Sequence, residues 1–163
     1  MRYIAFFILF GSLLSCHSNR QKESIAKISS LPSFQMLLMD SITLFDPGQV
    51  PEGKPIVVMY FRPNCPHCQE ETKTFVKNIE DLKTVRIYML AGADFKDLKE
   101  FYQSYHLDQY QNITVGKDYE HSFARVFRPK AVPYMAIYNT KKNLVRVYYG
   151  EVKIHALLDA VHI

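Results

Sequence analysis

The feature that most restricts how this chain can fold is a junction. The apolar run Ile56-Val57-Val58-Met59-Tyr60-Phe61 is followed, after Arg62-Pro63-Asn64, by Cys65-Pro66-His67-Cys68. Six consecutive apolar residues rich in β-branched side chains and bounded by turn residues describe a strand covered on both faces, as at the centre of a sheet flanked by helices. Proline is favoured at the first helical position, where its missing N–H costs nothing, so a helix begins at Pro66 and Cys65 precedes its first turn. The Cys65 sulfur then lies among unpaired backbone N–H groups at the positive end of the helix dipole, and both favour the thiolate, which is the nucleophilic form. Cys68 is one turn further on, so the two sulfurs can close a disulfide without large backbone movement. This geometry suits thiol–disulfide exchange: Cys65 attacks a partner disulfide and Cys68 resolves the mixed disulfide that results. A cationic His67 would stabilise the Cys65 thiolate further.

The rest of the pattern is that of one α/β domain, in keeping with a length of 163 residues. Strands are expected over residues 34–39, 56–61, 84–90, 113–115, 132–138 and 144–149, with Gly116 closing the fourth. Helices are expected over 66–81, 93–105, 118–127 and 152–161. The last two strands are antiparallel, because only Asn139-Thr140-Lys141-Lys142-Asn143 joins them, and the whole reads as a mixed sheet with helices. The aromatic stripe Phe95, Phe101 and Tyr102 falls at helical spacing and reads as core packing.

Ahead of this domain, Met1-Arg2 gives a short positive start, and an almost unbroken apolar stretch runs from Tyr3 to Leu14 before the chain turns polar at Ser15. About 12 apolar residues are too few to span a bilayer, which needs about 20, and the pattern is that of a secretory signal over residues 1–15. Leu13-Leu14-Ser15-Cys16 resembles the bacterial lipobox, which implies that Cys16 becomes the lipidated first residue and attaches the chain to a membrane. Residues 16–30 then read as a polar tether and 31–163 as the folded domain, outside the cytoplasm in the cell envelope.

Composition narrows the alternatives. The 20 Lys and Arg are interspersed with 16 acids for a net charge of +4, without the concentrated basic patch that nucleic acid requires, so no nucleic-acid partner is expected. Two other readings of the cysteine pair are weaker. A structural disulfide across one turn closes too small a loop to stabilise much. A metal site would need about four ligands, whereas His67, His106, His121, His155 and His162 are scattered without ligand spacing, so no metal is expected. Dithiol exchange itself calls for no cofactor.

Phe61 through Cys68 after an apolar strand, with Val132-Pro133 about 65 residues later, resembles the thioredoxin superfamily. Within it, the chain looks most like the TlpA-like membrane-anchored thioredoxins. That resemblance implies a thioredoxin-like fold with a mixed central sheet, helices on both faces, extra N-terminal strands and a central βα insertion around residues 84–115. It also implies that Pro133 is cis and faces the dithiol, and that Glu71, three positions after Cys68, serves as the acid or base near the pair. The proline that often follows this acid is absent. Other departures are the lack of any Trp, and Met59 where thioredoxins proper carry a buried acid six residues before the first cysteine. The Pro-His dipeptide is that of DsbA-like oxidases. A peroxiredoxin reading is disfavoured, because no Thr precedes Cys65 in Arg62-Pro63-Asn64.

The expectation is a thiol–disulfide oxidoreductase acting on disulfides of extracytoplasmic proteins and served by an upstream redox partner. A disulfide-introducing oxidase and a non-catalytic metal-binding or interaction module remain as alternatives.

Overall fold

The computed structural model describes residues 28–163. The signal segment, Cys16 and most of the tether lie outside the described residues. Seven strands form one mixed sheet: β1 (Met36–Leu38), β2 (Leu44–Phe45), β3 (Ile56–Phe61), β4 (Arg86–Ala91), β5 (Ile113–Asp118), β6 (Tyr134–Tyr138) and β7 (Leu144–Tyr149), in the spatial order β2-β1-β5-β4-β3-β6-β7. β3, β4 and β5 are parallel, whereas β1, β6 and β7 each run antiparallel to the neighbour on their inner side. Among the described residues four α-helices accompany them: α1 (Pro66–Lys77), α2 (Phe95–Ser104), α3 (Ser122–Phe127) and α4 (Ile154–Val161). This is the thioredoxin-like arrangement.

The period of two in a strand decides which side chains meet which helices. From β3, Val57, Met59 and Phe61 enter one core with Ile87 and Met89 of β4, covered by Phe75 of α1, Leu98 and Phe101 of α2, and Leu157 and Val161 of α4. The intervening Ile56 and Val58 face a second core with Tyr88, Leu90, Tyr134 and Ala136, closed by Phe123 and Phe127 of α3 and by Phe34. β3 is therefore buried on both sides, as its unbroken apolar composition requires.

Several boundaries differ from the sequence expectation, each for a local reason. The first strand is shorter than 34–39, because the Asp46 carboxylate takes the Phe34 N–H at 3.2 Å and draws that residue out of the ladder. Beyond it the chain turns at Asp40, whose carboxylate accepts from Ile42 and Thr43, and returns as β2, which the sequence did not announce. β5 continues through Gly116 to Asp118 instead of stopping at the glycine. A side chain at 116 would lie 2.9 Å from the Leu37 carbonyl oxygen and 3.1 Å from Met36 Cβ, so glycine is what lets β1 approach β5 there. Asp118 is not a helical residue; it ends β5 and its carboxylate accepts from the N–H groups of Phe123 at 2.8 Å and Ala124 at 3.1 Å, capping α3 from outside. α1 stops at Lys77, short of 81, where the Asn78 side-chain amide donates to the Thr74 carbonyl at 2.8 Å. The packed body also reaches back to Ile28, which is buried, with the Ser29 carbonyl accepting from Leu144 N–H at 2.8 Å.

Gly116→Ala should lower stability by about 1–3 kcal/mol, the usual cost of forcing an extra carbon into a packed site, because the obstructing atoms include a carbonyl that cannot swing away. The urea midpoint measures it, and an unchanged midpoint would show that β1 is free to retreat.

Candidate active site

Cys65 is the N-cap of α1, with extended backbone (φ −88°, ψ 118°), and Pro66 occupies the first helical position. The loop before it is pinned: Cys65 N–H donates to the Arg62 carbonyl at 3.1 Å, and the Gln69 side-chain amide reaches back to the Pro63 carbonyl at 2.9 Å. Both cysteines are free thiols and they differ in exposure, Cys65 being partly exposed and Cys68 wholly buried. Burial pushes the Cys68 thiol up to about 12, helped by a hydrogen bond to the Cys65 side chain and opposed by the Arg62 backbone N–H. An attacking thiol at the surface is thus backed by one that stays protonated until a base draws its proton away.

Glu71 lies one turn beyond Cys68 on the same buried face of α1 and is 1% exposed. Its Oε2 accepts the Val152 backbone N–H at 2.8 Å, while Oε1 has no hydrogen-bond partner among the described residues. Burial raises the carboxyl to about 7, against the Val152 hydrogen bond and with the nearby negative charge of Glu151 adding to the rise. A carboxyl that ionises near neutrality can both give and take a proton in the working range.

His67 is exposed and its Nδ1 lies 2.5 Å from Glu151 Oε1, so its partner is a carboxylate rather than a sulfur. Glu151 thereby touches two parts of the site, holding His67 and raising Glu71. Glu151→Gln should shift the pH profile of exchange toward lower pH, because removing that negative charge eases ionisation of Glu71. A pH–rate series on both proteins checks the direction, and a shift upward would contradict the assignment.

Val132–Pro133 is a cis peptide, and Pro133 is buried with its carbonyl accepting from Gly150 N–H at 2.8 Å. β6 starts at Tyr134, which is in register with Tyr60 near the end of β3, so Pro133 stands at the end of the sheet from which Cys65 departs. Val132 packs against the same core cluster as Cys65 and shares a cleft with Pro63 and Asn64. Sequence reasoning missed Glu151, Val152 and the Arg62 backbone. No local signal marks the first two, which reach α1 from more than 80 positions away.

A buried sheet bearing a helix-capping dithiol, with a proline loop at the same end, defines a thioredoxin-like thiol–disulfide oxidoreductase. The AhpC/TSA family model matches residues 29–147, and the chain belongs to that family. Among solved structures, the chain is similar to Mycobacterium tuberculosis DsbF, in its mixed oxidised and reduced forms, at 24% identity and a TM-score of 0.68, covering 84% of this chain and 96% of that one. A secreted M. tuberculosis disulfide oxidoreductase homologous to Escherichia coli DsbE gives 19% identity and a TM-score of 0.67 over 84% and 97% of the two chains. StoA from Bacillus subtilis gives 12% and 0.62 over 81% and 98%. These likenesses bear on the fold. The search of curated proteins finds no significant match.

Proposed function

We propose that this chain is a lipid-anchored thiol–disulfide oxidoreductase of the cell envelope that exchanges disulfides with extracytoplasmic proteins through Cys65 and Cys68. The observation that carries the reading is the division of labour in the pair: Cys65 is reachable at a helix N-terminus, and Cys68 is buried one turn behind it. Cys65 attacks the substrate disulfide, one substrate thiol leaves, and Cys68 attacks Cys65 to release the second. Glu71 takes the Cys68 proton in that second step. Pro133 has no N–H, so the backbone beside it is open to pair with an extended substrate segment. An upstream redox partner restores the dithiol.

Anchoring through lipid on Cys16 fits the way the chain joins the domain. Leu31 N–H donates to the Lys142 carbonyl, and Ser30 pairs with Asn143 at the β6–β7 turn. That turn follows Tyr138, which is in register with Ile56, the end of β3 remote from Cys65. A tether leaving from there would set the dithiol on the side away from the membrane, toward soluble protein substrates. Among the described residues no helix is long and apolar enough to cross a membrane.

Equilibration of the chain in a glutathione redox series tests the reading. The dithiol should titrate reversibly with a two-electron slope of about 30 mV per tenfold change, and a midpoint above the roughly −270 mV of thioredoxin would favour the oxidase direction. Thiols that remain protected until a chelator is added would replace exchange with metal binding.

A further inference from the structure

β3, β4 and β5 are parallel and end on one side of the sheet, and the connections leaving them diverge there. α1 and α2, after β3 and β4, pack in the first core, whereas α3, after β5, packs in the second. On that side a crevice opens between the segments leaving β3 and β4 and the loop that leads into β6, with His121 contributed from the segment after β5. Here it is a cleft of about 430 Å³, which falls within the roughly 300–1,000 Å³ of small-molecule sites.

Its charged lining residues Arg62, Asp94, Asp97 and Lys130 are all exposed. Gly92 leaves β4 so close beneath its neighbours that a Cβ there would lie 2.7 Å from Tyr60 Oη, with His121 Nδ1 at 3.8 Å. His121 is held with Glu120 in the left-handed region, at φ 55° and 51°, which is costly for residues bearing a Cβ and tends to be retained at functional sites. Arg62 and Lys130 lie on the side of β3 and β6, next to the dithiol loop and the Val132–Pro133 loop. Asp94 and Asp97 lie on the side of β4, at the start of α2. None of these four side chains is in an ion pair among the described residues. The cleft therefore offers two cations and two carboxylates, none of them ion-paired among the described residues, beside a redox-active pair.

We propose that this cleft binds a low-molecular-weight disulfide of the amino-acid type, bearing both carboxylate and ammonium groups, as a redox co-substrate of Cys65 and Cys68. Its carboxylates meet Arg62 and Lys130, and its ammonium groups meet Asp94 and Asp97. The proposal rests on the exchange reading of the dithiol. The Cys65 thiolate attacks one ligand sulfur, forming a Cys65–ligand disulfide and expelling one ligand thiolate, which takes up a proton. Cys68 loses its proton and attacks Cys65, expelling the second thiolate. The dithiol is oxidised by two electrons and the ligand is reduced to two thiols.

The test is oxidation of the reduced full chain by four disulfides: glutathione disulfide, with both charges; cystamine, with ammonium groups; dithiodiglycolate, with carboxylates; and neutral hydroxyethyl disulfide. Glutathione disulfide should show saturation. Its rate constant relative to hydroxyethyl disulfide should fall about tenfold in Lys130→Gln and again in Asp97→Asn, the loss expected for one charge-assisted hydrogen bond. Dithiodiglycolate should respond to the Lys130 change and cystamine to the Asp97 change. If the ratio stays at its wild-type value in both variants, the proposal is overturned while exchange stands. It is likewise overturned if the variants slow reduction of a protein disulfide and spare glutathione disulfide, since a protein segment then fills the cleft. If even hydroxyethyl disulfide fails to oxidise the wild-type chain, the exchange reading falls and the proposal falls with it.

Discussion

Cys68→Ser should accumulate as a covalent adduct with its substrate, released by added thiol, whereas Cys65→Ser should be inert and form no adduct. The asymmetry follows from the burial of the two sulfurs. Cys65 is partly exposed at the N-cap, where the first N–H groups of α1 have no helical partners, so the first attack proceeds without Cys68. The adduct then has one way forward, through the sulfur buried one turn behind it. In the adduct Cys65 is no longer a thiol, so the hydrogen bond that helps hold the Cys68 proton is gone and burial alone opposes ionisation. Serine at 68 has no comparable nucleophile and leaves the intermediate stranded. Cys68→Ala serves as a second variant, free of a buried hydroxyl. Non-reducing electrophoresis and intact mass read the outcome; adduct formation by Cys65→Ser, or full turnover by either Cys68 variant, would reverse the assigned roles.

What could be read from the sequence follows the range of the interactions. β3 and the start of α1 were legible because an apolar run and a proline beside a cysteine are local signals with a physical meaning. Gly116 and Asp118 misled for the same reason: each looks like punctuation, and each serves a contact from another part of the chain. Gly116 gives room to Leu37, and Asp118 satisfies N–H groups five and six residues ahead. β2 has two residues, too few for any period to show. At the site, the positions of Cys65 and Cys68 could be read directly, and Glu71 came from family resemblance. Its partners could not be read: the Val152 N–H is 81 positions away, and the His67–Glu151 contact spans 84. The expectation for a cationic His67 came from its place beside Cys65, and its contact with Glu151 is one that only the tertiary structure reveals.

Glu71→Gln should make the protein slower and, above neutrality, more stable. In the wild type, release from the Cys65 adduct should accelerate as pH rises through about 7, where Glu71 ionises and can accept the Cys68 proton. Glutamine has no such step, so the profile should flatten and the rate above pH 8 should fall by roughly 10²–10⁴, the usual contribution of a positioned base. Stability moves the other way. Burial raises the folded-state carboxyl from 4.5 to about 7, so the folded chain holds this proton more tightly than the unfolded chain does. Below 4.5 both states are protonated and nothing is lost. As pH climbs from 4.5 to 7 the unfolded state ionises first and the fold weakens; above 7 both are ionised and the penalty is constant at about 3 kcal/mol. Glutamine removes that penalty, retains an acceptor for Val152 N–H, and places an NH₂ where Oε1 had no partner. The gain in Tm should therefore be several degrees at pH 8.5 and near zero at pH 4.5. Equal Tm differences at the two pH values would show that Glu71 does not change protonation on folding, and an unaltered pH–rate profile would remove it from the proton path. Both together would leave Cys68 without a base and make the buried carboxylate a structural partner of Val152 alone.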